Sequence, residues 1–241
     1  MYVCASLLCV LSCTRPVTHY EKQIESLICD RTDKQLVLPS ASVILSGFDF
    51  VHDQSKEATF RLRLITDRQL MPVVTYRLPS ENDGENDNTF DDPQYREKSI
   101  LQFYQDVKKA VSEISETDSV CLHSECFRTI ADELTVLSKS DATKKSLWIF
   151  SDGFENSNLF SLYTSDGQRT LLKHPQEIAA IFSKTGLLPE NLKNISVCFV
   201  YTPASREIDR LFAATVQVYK AMLEQRGASV TIQATTSNHL S

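Results

Sequence analysis

Lys144–Asn156 reads KKSLWIFSDGFEN, and how this stretch is read decides the fold. Ser146 to Phe150 is a short, nearly continuous apolar run, as expected of a strand buried on both faces of a parallel sheet. It ends abruptly in Ser151-Asp152-Gly153. In an open α/β sheet, ligands bind outside the carboxyl ends of the strands, so an acid followed by glycine at this point is a candidate site.

Working outward, Ile195–Tyr201 is a second continuous apolar run and hence a second buried strand. Amphipathic segments surround both. Asp92-Pro93 is a helix start, and the helix runs to about Ser115 with Ile100, Phe103, Val107, Val111 and Ile114 on one face. Ser119–Leu122 reads as a short strand, and Ser124 as the N-cap of a helix with Phe127, Ile130, Leu134 and Leu137 inward. Phe154–Lys173 reads as irregular, with a turn at Ser165-Asp166-Gly167, and Pro175–Ser183 as a helix. Thr202-Pro203 opens the last helix, Gly227 closes it, and Ala228–Gln233 is a final strand.

In the first half, Gln23–Leu38 has weak helical spacing at Ile24, Leu27 and Ile28 and stops at Pro39, and Val43–Val51 reads as a bulged strand around Gly47. Ala58–Thr66 alternates Phe60, Leu62 and Leu64 with Arg61 and Arg63, and Val73–Leu78 follows closely, which suits an antiparallel pair. Ser80–Asp92 carries six acids and no base, and reads as a solvated loop. The sum is a three-layer, doubly wound α/β fold: a mainly parallel, Rossmann-like sheet with an antiparallel edge, in one domain over 23–241.

The chain has 241 residues and a net charge of -6, with no long basic run, so charge-driven binding to nucleic acid is not expected. Met1–Ser12 is apolar, too short for a permanent span, and reads as the core of a secretory signal, with 1–22 as signal and tether. Val10-Leu11-Ser12-Cys13 resembles a bacterial lipobox, which implies cleavage before Cys13 and a lipid on its thiol; no Lys or Arg precedes the apolar run. That places the protein at the bacterial cell envelope, lipid-anchored. The remaining cysteines form no CxxC and no zinc-like pairing; Cys198 reads as a small buried hydrophobe, and a Cys121–Cys126 pairing as the less favoured arrangement.

Two stretches resemble a von Willebrand factor A-type domain: HSECFRTIADELTVLSKS leading into LWIFSDGFEN, and ISVCFVY through GASVTI, together about the last half of the chain. In that family a metal-ion-dependent adhesion site lies on the sheet's carboxyl edge. A first-strand D-x-S-x-S, a later Thr and a second Asp hold magnesium, which takes oxygen ligands in an octahedron and keeps water positions open. The resemblance implies Asp152 as the second Asp, Ser124 in place of the Thr, and Asp67, after FRLRLIT, as the first Asp. Arg68-Gln69-Leu70-Met71 follows Asp67, so both serine positions of the pattern are lost and the site is degenerate. Read without the resemblance, Asp152 is a turn acid, Ser124 an N-cap and Asp67 a hairpin residue.

The resemblance and the lipobox together imply a non-catalytic binding protein that holds a protein partner at a membrane surface. A metal-assisted hydrolase using Asp67 or Asp152 with His123 as base is the enzymatic alternative, but no G-x-S-x-G, P-loop or G-x-G-x-x-G is present. A cytosolic accessory protein of mobile DNA is the third reading.

Overall fold

The computed structural model of the chain describes residues 21–32, 38–65, 73–80, 93–114 and 123–234. The expectations for Cys13, Asp67, the acidic loop, Ser119–Leu122 and Cys121 lie outside the described residues.

In chain order the elements are β1 (Lys22–Asp30), α1 (Ala41–Ser46), β2 (Glu57–Ile65), β3 (Val74–Leu78), α2 (Pro93–Glu113), α3 (Cys126–Lys139), β4 (Lys144–Phe150), α4 (Ser165–Lys173), α5 (Pro175–Lys184), β5 (Ile195–Val200), α6 (Arg206–Glu224) and β6 (Ser229–Gln233). They form one six-stranded sheet in the order β3-β2-β1-β4-β5-β6. Every neighbouring pair is parallel except β2 and β3, which run antiparallel at one edge.

Because strand side chains alternate between faces, the sheet separates two cores. Ile24, Ile28, Leu147, Ile149, Val197 and Phe199 face α3, α4, α5 and α6. Leu27, Cys29, Phe60, Leu62, Phe150 and Val200 face α1 and α2. The result is a three-layer, Rossmann-like α/β fold. From β1 the chain winds one way to β2, and from β4 it winds the other way through β5 to β6. The reversal therefore falls between β1 and β4, at the centre of the sheet, which is where a doubly wound fold opens its ligand crevice.

Several local expectations are corrected. Gln23–Leu38 does not begin as a helix; its first part is β1, the most central strand along with β4. Gln23, Glu25 and Ser26 are polar yet fully buried, which hid the strand. Apart from Gln23 Oε1, which has no partner, their polar atoms are paired internally: Glu25 accepts from Gln23 Nε2 (2.9 Å), Ser146 Oγ (3.0 Å) and Trp148 Nε1 (2.9 Å). Ser26 Oγ donates to Glu133 of α3 at 2.9 Å. Val43–Val51 is not a strand. Its start is the short helix α1, and Phe48 and Phe50 then insert beneath α2, with Phe48 edge-on to Phe103 at 5.1 Å.

Phe154–Lys173 ends in α4, capped by Thr164 Oγ1 accepting from Gly167 N (3.1 Å), so Ser165-Asp166-Gly167 is a first helical turn. The last helix is capped by Ser205, whose hydroxyl accepts from Ile208 N, two residues beyond the expected Thr202-Pro203. Ser124 is not an N-cap. Glu125 occupies that position without a side-chain cap, and Ser124 instead pairs in backbone with Asn156. Among the described residues, no helix is long and apolar enough to cross a membrane.

Candidate functional site at the carboxyl edge of the sheet

The register pairs Cys29 with Phe150, so the residues one step on, Asp30 and Ser151, come level at the winding reversal. Ser151 Oγ donates to Asp30 Oδ2 at 2.8 Å and accepts from Gly153 N at 2.8 Å. The other oxygen of Asp30 accepts from Thr32 N (2.9 Å) and Thr32 Oγ1 (2.6 Å), which turns the chain sharply out of β1. Asp152 does the same after β4, with Oδ1 accepting from Phe154 N at 2.8 Å. Both acids thus shape the backbone at the exits of the two central strands.

A strap follows. Asn156 and Ser124 exchange backbone hydrogen bonds at 2.9 and 3.1 Å, and Leu162 N donates to Glu155 O at 2.9 Å. The strap draws the start of α3 onto the end of β4. Glu155 Oε2 accepts from Phe127 N (2.8 Å), so a buried carboxylate from the strap satisfies the first turn of α3, the role that Ser124 was expected to fill. Burial pushes the Glu155 carboxyl up to about 7, against the lowering effect of that backbone donor. Its second oxygen has no donor, and neither Thr215 Oγ1 nor Tyr219 Oη, both on the inner face of α6, has a partner.

Cys126, the first residue of α3, lies among these groups with no exposed surface. Its Sγ is 3.0 Å from Ser124 Oγ and 3.9 Å from Ser151 Oγ, and it reaches Phe154 O at 3.3 Å and Asp30 Oδ2 at 3.8 Å. Burial, and then the charges of Asp30, Glu155 and Asp152, hold this thiol well above its ordinary range, so it is a neutral S–H.

Of the sequence-derived ligands, Ser124 touches Cys126, with Oγ 3.0 Å from its Sγ, and Asp152 lies at the exit of β4, where its Oδ1 accepts from Phe154 N. His123 is exposed beside them. The sequence reading missed Asp30, Ser151, Cys126 and Glu155. The signal for Asp30 was present: Leu27-Ile28-Cys29-Asp30 is an apolar run ending in an acid, as Trp148–Asp152 nearly is.

The donor set does not fit magnesium. Asp30, Ser124, Ser151 and Asp152 are hard oxygen donors, but a protonated sulfur lies between them, and none is more than 5% exposed. Magnesium requires near-octahedral oxygen and keeps waters that must reach solvent. Among the described residues, no group of three or more His, Cys, Asp or Glu side chains is arranged to hold a metal ion. Comparisons with protein-family models, with curated proteins and with solved structures found no match.

Proposed function

We propose that the chain is a non-catalytic binding module of von Willebrand factor A-like type, held at the bacterial cell envelope by a lipid on Cys13, which docks a protein partner on the carboxyl edge of its sheet. The observation that carries this reading is a contrast at that edge. Asp30, Ser124, Ser151, Asp152 and Glu155 are all buried and bonded into the backbone or to one another, so none of these five is presented to a substrate. Directly beside them the strap turns Leu159 (36% exposed) and Tyr163 (55% exposed) outward. Hydrogen bonds from Ser157 N to Phe160 O (3.0 Å) and from Ser161 Oγ to Asn156 Oδ1 (2.8 Å) pin it. A rigid element carrying outward apolar and aromatic side chains is suited to contact with a protein surface.

The test is photo-crosslinking in cells from a benzophenone amino acid placed at Tyr163, at Leu159 and, as a control, at Val51 in the segment leading into β2. The expected result is one discrete adduct from the two strap positions, none from Val51, and loss of the adduct in Leu159→Asp. Labelled palmitate should enter the wild-type chain and not Cys13→Ser. Absence of any adduct from the strap, or turnover on a phosphatase and esterase panel that Asp152→Asn abolishes, overturns the proposal.

A further inference from the structure

We infer that the amino edge of the sheet faces the bilayer and that a cleft there, at the starts of β4, β5 and β6, takes the phosphate of an anionic lipid head group. The choice of a lipid rests on the lipid-anchor reading above and adds to it the surface that lies against the membrane.

The cleft is open, has a volume of about 420 Å³, and its wall includes Lys144, Lys145, Ser146, Asn194, Ser196 and Ser229 but no acid. Ser146 is the register partner of Ser196, and Ser196 of Ser229, so three parallel strands set one row of hydroxyls across the sheet. Lys144 and Lys145 come just before that row and, because strand side chains alternate, flank the edge from opposite faces. Lys144 Nζ donates to Gly47 O at 2.9 Å and Lys145 Nζ to Ser140 O at 2.6 Å. An ammonium has three donors, so each lysine is held by one and keeps two. Ser229 Oγ donates to Ser196 Oγ at 3.2 Å, which leaves the Ser196 proton for an outside acceptor. Two fixed positive charges, a hydroxyl and the Asn194 amide in a cleft without an acid suit an oxyanion with several acceptor oxygens, and a phosphate above all. Acids at the same edge are compensated: Asp141 and Glu57 lie 2.7 and 3.8 Å from Lys22 Nζ, and Glu25 is buried with three donors.

The position of the tether selects the bilayer as the source of that phosphate. Strand β1 begins beside the cleft: Thr143, in its wall, donates from N and Oγ1 to Lys22 O at 2.9 and 3.0 Å, and Gln23 is level with Lys144. The chain therefore enters the fold at this edge, and the eight residues from Cys13 to Tyr20 span at most about 28 Å. A lipid on Cys13 keeps the cleft within that distance of the head groups, where effective concentration amplifies even a modest affinity. The strap lies at the other end of β4, about 23 Å away along its seven residues, so the partner-docking surface points away from the membrane.

The experiment floats the full chain carrying Cys13→Ser, which has no lipid of its own, with vesicles of phosphatidylcholine alone or of phosphatidylcholine mixed with phosphatidylglycerol. The expected result is about tenfold tighter binding with phosphatidylglycerol present, as two lysines at an anionic surface provide, and loss of the gain in high salt. Lys144→Gln combined with Lys145→Gln should remove the preference. Lys108→Gln combined with Lys109→Gln on α2, which removes the same charge elsewhere, should keep it. Ser196→Glu, which puts an acid into the cleft and leaves both lysines, serves as the second variant if the double lysine variant does not fold. Equal flotation on the two vesicles, or a preference that the folded cleft variants keep, overturns the inference. So does calorimetric binding of inorganic phosphate without any preference for phosphatidylglycerol, which would assign the cleft to the free anion. Because the tested chain carries no lipid on Cys13, these outcomes are independent of the palmitate labelling and of the adduct at the strap, and the two readings fail separately.

Discussion

Ser151 Oγ donates to Asp30 Oδ2 at 2.8 Å, fastening the last residue of β1 to the first residue beyond β4 where the chain reverses its direction of winding. The same oxygen accepts from Gly153 N at 2.8 Å, so one hydroxyl serves two buried partners. In Ser151→Ala the buried amide of Gly153 loses its acceptor and the buried Asp30 loses a donor. The expected destabilisation is about 2–3 kcal/mol. It would appear as a lower urea midpoint with unchanged m, followed by emission from Trp148, the single tryptophan of the chain.

Glu133 is a buried acid whose loss should be felt, and it lies on α3 away from the candidate site. From α3 it accepts Ser26 Oγ of β1 at 2.9 Å and Arg61 Nε of β2 at 2.5 Å, and Arg63 Nε lies 3.3 Å away. It joins the helix to two strands. Both arginines keep some solvent contact, at 16% and 22% side-chain exposure, which moderates the cost of stranding them. Glu133→Ala is expected to cost about 3 kcal/mol and Glu133→Gln, which keeps an acceptor for Ser26, about half of that. Thermal melts of the two variants side by side check the order; equal losses would assign the stabilisation to packing rather than to charge.

How much of this was legible beforehand differs by element, and the reasons are physical. Leu147–Phe150 of β4 and nearly all of β5 are apolar and mostly buried, so their runs stand out. α2 and α6 are long enough for the helical period to show. β1 is more buried than β4, yet it carries Gln23, Glu25 and Ser26, and the partners Ser146, Trp148 and Glu133 on β4 and α3 are more than a hundred residues away in the chain. No local pattern could supply those partners, and the apolar residues left over happened to fall at helical spacing. Misreading β1 also hid Asp30, because an acid is informative only once it is placed at a strand's carboxyl end. Asp152 was placed at a strand's carboxyl end because that strand, β4, was legible. Ser124 was expected to cap α3, but its hydroxyl does not, since Glu155 reaches in from the strap to do so.

Gly153 and Gly186 offer a comparison that separates backbone strain from crowding. Both have positive φ, +71° and +67°, in the left-handed region where a side chain is disfavoured. A Cβ on Gly186 would meet nothing within 4 Å, whereas one on Gly153 would lie 3.3 Å from Thr215 Cγ2 and 3.5 Å from Tyr219 Cε2. Gly186→Ala should therefore cost only the conformational penalty, about 1 kcal/mol. Gly153→Ala should cost about 2–3 kcal/mol, because α6 must also give way beneath the strap. Urea titration of both variants measures the difference; identical losses would show that the contact between Gly153 and α6 is looser than described.

Glu155 makes stability depend on pH in a stated direction. Its carboxyl sits at about 7 in the folded chain against an ordinary value of 4.5, chiefly because burial disfavours the charge; nearby Glu125 pushes the same way and Arg128 opposes it. The folded state therefore keeps this proton over a range in which the unfolded state has already released it. Between those two values the unfolded state binds fewer protons, so stability falls as pH rises from about 4.5 to about 7 and levels off above. The shift corresponds to about 3 kcal/mol across that window. Glu155→Gln keeps an acceptor for Phe127 N and cannot titrate, so its stability should lack this component. Subtracting its urea midpoints from those of the wild type between about pH 4 and pH 8 should leave a curve that descends with pH and flattens near neutrality. A flat difference, or one that rises with pH, would mean that the strap admits water to Glu155 and that the start of α3 is not held by a buried carboxyl.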